Sequence, residues 1–271
     1  MKLITLGVAA ALAVGSIGLA CATPTITNGD FSSVNASMMP KGSTTSDPAQ
    51  FGNGSLNGFT ATQFINGWMG NDGYEIWEPN ATAATTQNAY SEWGIGGANT
   101  GKEMLWAASA PPSGSGSFVA LDGDQTSGVQ SSISQTLTGL TVGQTYAVTF
   151  DWGLAQMQSR NGATTNSLKV SFGDLTQTTP VMDDASHSFN GWFSQTFNFK
   201  ADSTSALLSF LAVGTPSSLP PMALLSNVSI AAVPEPPVLA MFGGGLLGLG
   251  LLTVFARRRQ QRRDKDGDLA A

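Results

Sequence analysis

The chain has 271 residues and a formal net charge of −6, with only 11% charged residues and 41% hydrophobic ones. Between residues 23 and 233, five basic side chains face fourteen acidic ones, a net of −9 without a basic stripe, which argues against nucleic acid as a partner. Six tryptophans and the apolar fraction supply a core, so low charge does not mean disorder, and about 210 residues between the two ends suit one large β domain.

Residues 1–22 read as a cleaved signal peptide: Lys2 opens it, Leu3 to Leu19 are apolar, and Ala20-Cys21-Ala22 has small residues at both positions a signal peptidase reads, with Thr23 becoming the new N-terminus. Cys21 is the one cysteine. Acylation there competes with simple cleavage, but Gly18 stands where a lipobox wants Leu. Cleavage leaves a chain without disulfides, stabilised by packing or bound ions.

Residues 32–63, rich in Ser, Thr, Gly and Asn, read as a long surface loop. Thereafter short alternating runs are separated by Gly, Asn, Pro and Ser, with no long amphipathic helix. Tyr146, Val148, Phe150 and Trp152 share one face of a strand, as do Val129, Ile133 and Leu137, then Leu168, Val170 and Phe172, then Phe193, Phe197 and Phe199. Gly139 to Gly143 reads as a turn between two of these strands. Leu207 to Val213 is apolar on both faces and predicts a central, doubly covered strand, and Leu224 to Ile230 closes the domain. Together these predict an all-β ectodomain over 23–232, an antiparallel β-sandwich of jelly-roll type.

Val233-Pro234-Glu235-Pro236 leads into an uncharged run, Val238 to Ala256, that as a helix rises about 28 Å, close to the hydrocarbon thickness of a bilayer. Arg257, Arg258, Arg259, Arg262 and Arg263 follow and place the C-terminus in the cytoplasm. The acidic tail 264–271 begins like a calcium-binding loop, but the chain ends before the bidentate Glu such a loop requires, so it reads as a solvated tail.

The segment 233–263, with its motif, single transmembrane helix and arginine cluster, resembles the PEP-CTERM sorting signal of Gram-negative, biofilm-forming bacteria. The resemblance implies processing by an exosortase-type enzyme, transient inner-membrane anchoring, and delivery to the cell envelope or extracellular matrix.

Between the ends, Asn28-Gly29-Asp30-Phe31, Gly67-Trp68, Tyr74-Glu75-Ile76-Trp77, Phe118 to Gly123, Ile133 to Leu137, Gly143-Gln144-Thr145-Tyr146, Phe150-Asp151, Gly191-Trp192 and Leu225 to Ser229 recur in order. This resembles galactose-binding-like jelly rolls, including family 4 and 22 carbohydrate-binding modules. It is similar also to a secreted family of unknown function found in plant cell-wall proteins and in proteins with the same sorting tail. Such modules often hold calcium between the first and last strands. Ser32 and the pair Ser226-Asn227 stand where carboxylates are usual, so any structural calcium there is expected to be weak, and no other cofactor or metal is expected.

Sugar recognition needs flat aromatic faces edged by polar groups. Trp68, Tyr74, Trp77, Trp93 and Trp106 lie within 40 residues, with Glu75, Glu78 and Glu92 among them. Trp68, Tyr74, Glu75, Trp77 and Trp106 are the candidate carbohydrate-binding residues, with Trp77 as the stacking platform; the competing reading makes Trp68, Ile76 and Trp77 core. Trp152 and Trp192 fall on strand-like runs and read as core. No catalytic residue is assigned: His187 is the sole histidine, and no nucleophile elbow or zinc helix occurs. Glu75 and Glu78 could in principle form a glycosidase pair. The expectation is a non-catalytic exported protein whose partner is extracellular polysaccharide. A self-associating matrix protein and a polysaccharide hydrolase are the alternatives.

Overall fold

The computed structural model describes residues 23–51, 63–71, 73–91, 94–95, 103–126, 129–217 and 219–234. Ala20 and Ala22 of the cleavage site, Glu235 and Pro236 of the sorting motif, the run 238–256, the arginine cluster and the tail lie outside the described residues, as do Glu92 and Trp93. Thr23 and Pro234 are exposed and Val233 is half-buried. Among the described residues no helix is long and apolar enough to cross a membrane.

In chain order the strands are β1 (Ala49–Phe51), β2 (Met69–Gly70), β3 (Glu75–Glu78), β4 (Tyr90–Ser91), β5 (Gly94–Ile95), β6 (Phe118–Asp122), β7 (Ser132–Thr138), β8 (Thr145–Gln156), β9 (Thr164–Phe172), β10 (Leu175–Thr178), β11 (Met182–Asp184), β12 (Phe189–Lys200), β13 (Ser205–Thr215) and β14 (Pro221–Ala232). The larger sheet runs β12-β8-β14-β6-β3-β1-β4-β5. The smaller runs β10-β9-β13-β7-β2, with β11 on β9. All pairings are antiparallel except β1 with β4.

The two sheets bury their facing sides against one another as an antiparallel β-sandwich. Tyr146, Val148, Phe150 and Trp152 of β8 meet Leu168, Val170 and Phe172 of β9 and Leu208, Phe210 and Ala212 of β13 in one core. The expected alternation is therefore realised, because period-2 spacing puts every second side chain of a strand on the same face. The β7–β8 turn forms as read: Gly139 and Gly143 take φ of 78° and 88°, where a Cβ would be strained, and the Tyr146 hydroxyl accepts from the Thr141 N–H at 2.9 Å.

Three expectations are corrected. The stretch 32–63 is not simply a loop, because Ala49–Phe51 inserts next to β3 as a wholly buried strand of the larger sheet. The strand Leu207 to Val213 is central but not doubly covered: Leu208, Phe210 and Ala212 are buried, whereas Leu207 is 50% exposed, because nothing among the described residues covers the outer face there. Phe193 shares the face of Phe197 and Phe199 yet remains 38% exposed, lying on the outermost strand β12 of the larger sheet.

The larger sheet also buries part of its outer face. Ile76, Phe118, Ala120, Ala155, Met157, Met222 and Leu224 form a second core with Ala84, Ala89, Leu105 and Ala108. Its cover is a short helix α1 (Ala81–Thr86), whose Asn80 side chain accepts from the Ala83 N–H at 2.9 Å, and a strap of residues 103–111. The strap is tied down by Leu105 N–H to Ala84 O at 2.7 Å and Trp106 N–H to Gln156 O at 2.8 Å. Val129 packs on this outer core instead of following Ile133 and Leu137 inward.

Candidate functional site

Strand β3 decides the fate of the expected sugar platform. It lies between β6 and β1 with both faces covered, so all four of its residues are buried. Trp77 is 2% exposed in the inner core and its indole N–H donates to Phe31 O at 2.8 Å; Trp68 is 3% exposed and donates to Asn28 O at 3.0 Å. Neither ring offers a face to solvent, which corrects the stacking assignment and makes both core residues. Tyr74 is buried in the outer core, and Glu75 is buried on the inner side, accepting from the Asn71 N–H at 3.0 Å. Of the five candidates only Trp106 is half-exposed, its ring centroid 4.7 Å from that of His187. Trp152 is core as expected, whereas Trp192 is half-buried over Phe118, its indole N–H on Ser109 O at 2.9 Å.

The glycosidase pairing also fails on geometry. Glu75 and Glu78 are three residues apart on one strand and point to opposite faces, so they cannot flank one bond. His187 Nε2 meets Asn161 Oδ1 at 2.5 Å, and its backbone N–H donates to Gln156 Oε1 at 2.6 Å; Ser188 Oγ donates instead to Asp184 Oδ1 at 2.6 Å. Burial lifts the Asp184 carboxyl to about 6, against the pull of Ser188.

At the opening turn, Val228 N–H donates to Gly29 O at 2.9 Å, so the first and last segments of the domain do meet. The groups there are bonded to one another. Asp30 accepts from Ser32 Oγ at 2.9 Å, Asn227 Nδ2 donates to Asp151 Oδ2 at 2.8 Å, and Ser226 Oγ donates to Ser117 O at 2.8 Å. Burial would raise the Asp30 carboxyl, but hydrogen bonds from Ser32 and Ser115 outweigh it and hold the group below its ordinary value.

An open concavity lies elsewhere, on the outer side of the smaller sheet. A groove of about 770 Å³ runs between the N-terminal segment Thr23, Thr25 and Thr27, the stretch Gln63, Asn66 and Met69, and Ser134, Thr136 and Thr138 of β7, with Leu207 of β13 and the buried candidate residue Trp68 also in its lining. Gln135 builds its wall: Thr27 N–H donates to Gln135 Oε1 at 2.8 Å, and Gln135 Nε2 donates to Thr27 O at 2.9 Å and Gly67 O at 2.8 Å. Among the described lining residues none is ionisable. Hydroxyls and amides both donate and accept, and Met69 and Leu207, 48% and 50% exposed, add apolar patches. The sequence carried one signal for this surface: Ser134, Thr136 and Thr138 are the polar alternates to Ile133 and Leu137 on β7.

Among proteins of known structure, the chain is similar to a family 61 carbohydrate-binding module solved in complex with beta-1,4-galactotriose (16% identity over 46% of this chain and 75% of that one, TM-score 0.31). It is similar also to the CBM22-1 xylan-binding domain of Paenibacillus barcinonensis Xyn10C (13%, 49% and 81%, TM-score 0.31) and to a cyclase from Fischerella sp. TAU (14%, 78% and 97%, TM-score 0.41). No curated protein matches the sequence. The family described as protein of unknown function (DUF642) matches residues 71–230, more than half of the chain, and the chain belongs to that family.

Proposed function

We propose that this is an exported, non-catalytic protein of the cell envelope or extracellular matrix that binds an uncharged polysaccharide along the groove beside β7. The observation that carries the reading is the groove's lining, which offers hydroxyls, amides and two exposed apolar side chains but no ionisable group. A neutral glycan presents hydroxyls at its edges and C–H groups on its faces, and this lining matches both without a charge to desolvate. Because the groove is shallow in aromatic character, affinity per domain is modest, and display in many copies provides retention. Export follows from the signal peptide at 1–22, and sorting from Val233-Pro234-Glu235-Pro236, the apolar run and the arginines, handled by an exosortase-type enzyme.

Thr136→Arg tests the glycan reading, since Thr136 is exposed and a guanidinium there blocks the groove without touching the core. The variant loses retention on the host's neutral extracellular polysaccharide while its melting curve stays within about 0.5 kcal/mol of the parent; undiminished retention contradicts the reading. For the sorting step, Pro234-Glu235-Pro236 replaced by alanines leaves full-length protein in the inner membrane, and unchanged C-terminal processing by mass spectrometry contradicts it.

Self-association is the second reading, favoured by β12, a 12-residue strand at the outer end of the larger sheet with Phe193 exposed on it. Concentration-dependent assembly without glycan retention selects it.

A further inference from the structure

The outer core holds polar groups that neither the fold nor the groove uses. On β1, Gln50 stands opposite Ile76 of β3, on the outer face that Ile76 and Glu78 share. Gln50 is 1% exposed and neither its amide oxygen nor its amide nitrogen has a hydrogen-bond partner. Glu78 is fully buried and both of its carboxylate oxygens lack a partner. Across from them the strap brings in Glu103, 2% exposed, whose backbone N–H is held by Asn88 Oδ1 at 3.0 Å and whose Oε2 is also unbonded. The Tyr74 hydroxyl bonds the Glu103 carboxylate, and Glu103 acts electrostatically on Glu78, so the strap carboxylate is near both of these outer-face residues of β3.

Buried carboxylates without donors are expensive, and native proteins pair them with cations or hydrogen bonds. Among the described residues the guanidinium nearby, Arg160, acts on Tyr74 and Asp122. We propose that Glu78, Glu103 and Gln50 form a calcium site that clamps the strap onto the outer face of the larger sheet.

The donors are all hard oxygens: a carboxylate free to bind through both atoms, one oxygen of a second carboxylate, and an amide carbonyl. That set suits calcium better than zinc, which takes nitrogen and sulfur, or magnesium, which demands a near-ideal octahedron. Waters complete the coordination of six to eight oxygens that calcium prefers. Two carboxylates neutralise a divalent ion, and both are more readily protonated than usual. Burial first, then the charge of Glu103, raises Glu78 well above the ordinary range, while burial lifts Glu103 to about 7 against the opposing bond from Tyr74. Among the described residues, the other ionisable groups in this neighbourhood include Tyr74, Asp122, Asp124 and Arg160.

The experiment is calorimetric titration of calcium chloride into the chelator-stripped full-length protein, paired with thermal unfolding with and without the ion. The wild type takes up about one calcium per chain and melts higher with it. Glu78→Gln removes the uptake and the increment while melting no lower than the stripped wild type, since it replaces an uncompensated carboxyl with a neutral isostere. Asp30→Ala, at the opening turn, leaves both intact. No uptake by the stripped wild type, full uptake by Glu78→Gln, or loss of uptake in Asp30→Ala overturns the proposal.

Discussion

The segment from Trp68 to Trp106 and the surface of β7 make opposite use of their residues. The first gathers tryptophans, a tyrosine and glutamates that by type resemble a sugar-binding site, yet Trp68, Tyr74, Glu75 and Trp77 are all buried. The second carries Ser134, Thr136 and Thr138 with scattered amides and the exposed Met69 and Leu207, and an open groove lies there. Residue type says what chemistry a side chain can perform, while strand position decides whether a ligand can reach it. A strand between two others in a sheet covered on both faces, as β3 is, turns even a tryptophan next to two glutamates into packing.

The largest expected effect breaks this contrast on the buried side. Trp77→Ala removes a fully packed ring whose N–H is bonded to Phe31 O, and such losses cost about 3–5 kcal/mol. Chemical denaturation of the variant checks it, and a melting curve like that of the parent returns Trp77 to the surface. A second, intermediate effect concerns pH. Relative to ordinary values of 4.5 and 3.8, Glu103 and Asp122 are each lifted to about 7, chiefly by burial, and Asp184 to about 6. The folded chain thus holds more protons than the unfolded chain between about pH 4 and 7, and stability falls as pH rises through that window. Measured with chelator present, the melting temperature is higher at pH 5 than at pH 8; a flat or opposite profile contradicts the burial of these carboxyls.

The smallest effect sharpens the open side. Leu207→Asp, at a half-exposed position beside Thr136, changes stability by no more than about 0.5 kcal/mol. It removes an apolar patch and introduces a charge, so neutral-glycan retention drops while the unfolding transition hardly moves.

The sandwich was legible where alternation is long enough to outlast local noise. Tyr146 to Trp152, Leu168 to Phe172 and the Gly139–Gly143 turn could be read because each strand has one face in the core. β1 could not, since three residues cannot display a period, and its place in the larger sheet is set by pairing with β3 rather than by its own composition. Leu207 misled for a related reason: an apolar run shows that two faces are apolar, not that two layers exist to cover them. At the site, the tryptophan cluster was visible but its orientation was not, because orientation depends on Phe31, Phe64 and Phe210 arriving from distant segments. Gln50 and Glu103 had no signal of their own, being a lone amide and a lone carboxylate that only the sheet register and the strap bring near Glu78.

On the proposed reading, the uncharged groove beside β7 takes a neutral polysaccharide. The measurement that tests it most directly is retention of the protein on neutral and on anionic polysaccharide across a salt series from about 0.05 to 0.5 M, where screening shortens to a few ångströms. Retention on the neutral polymer is expected not to change with salt and to be lost in Thr136→Arg. Retention confined to the anionic polymer and abolished by salt, or retention unaffected by Thr136→Arg, contradicts it.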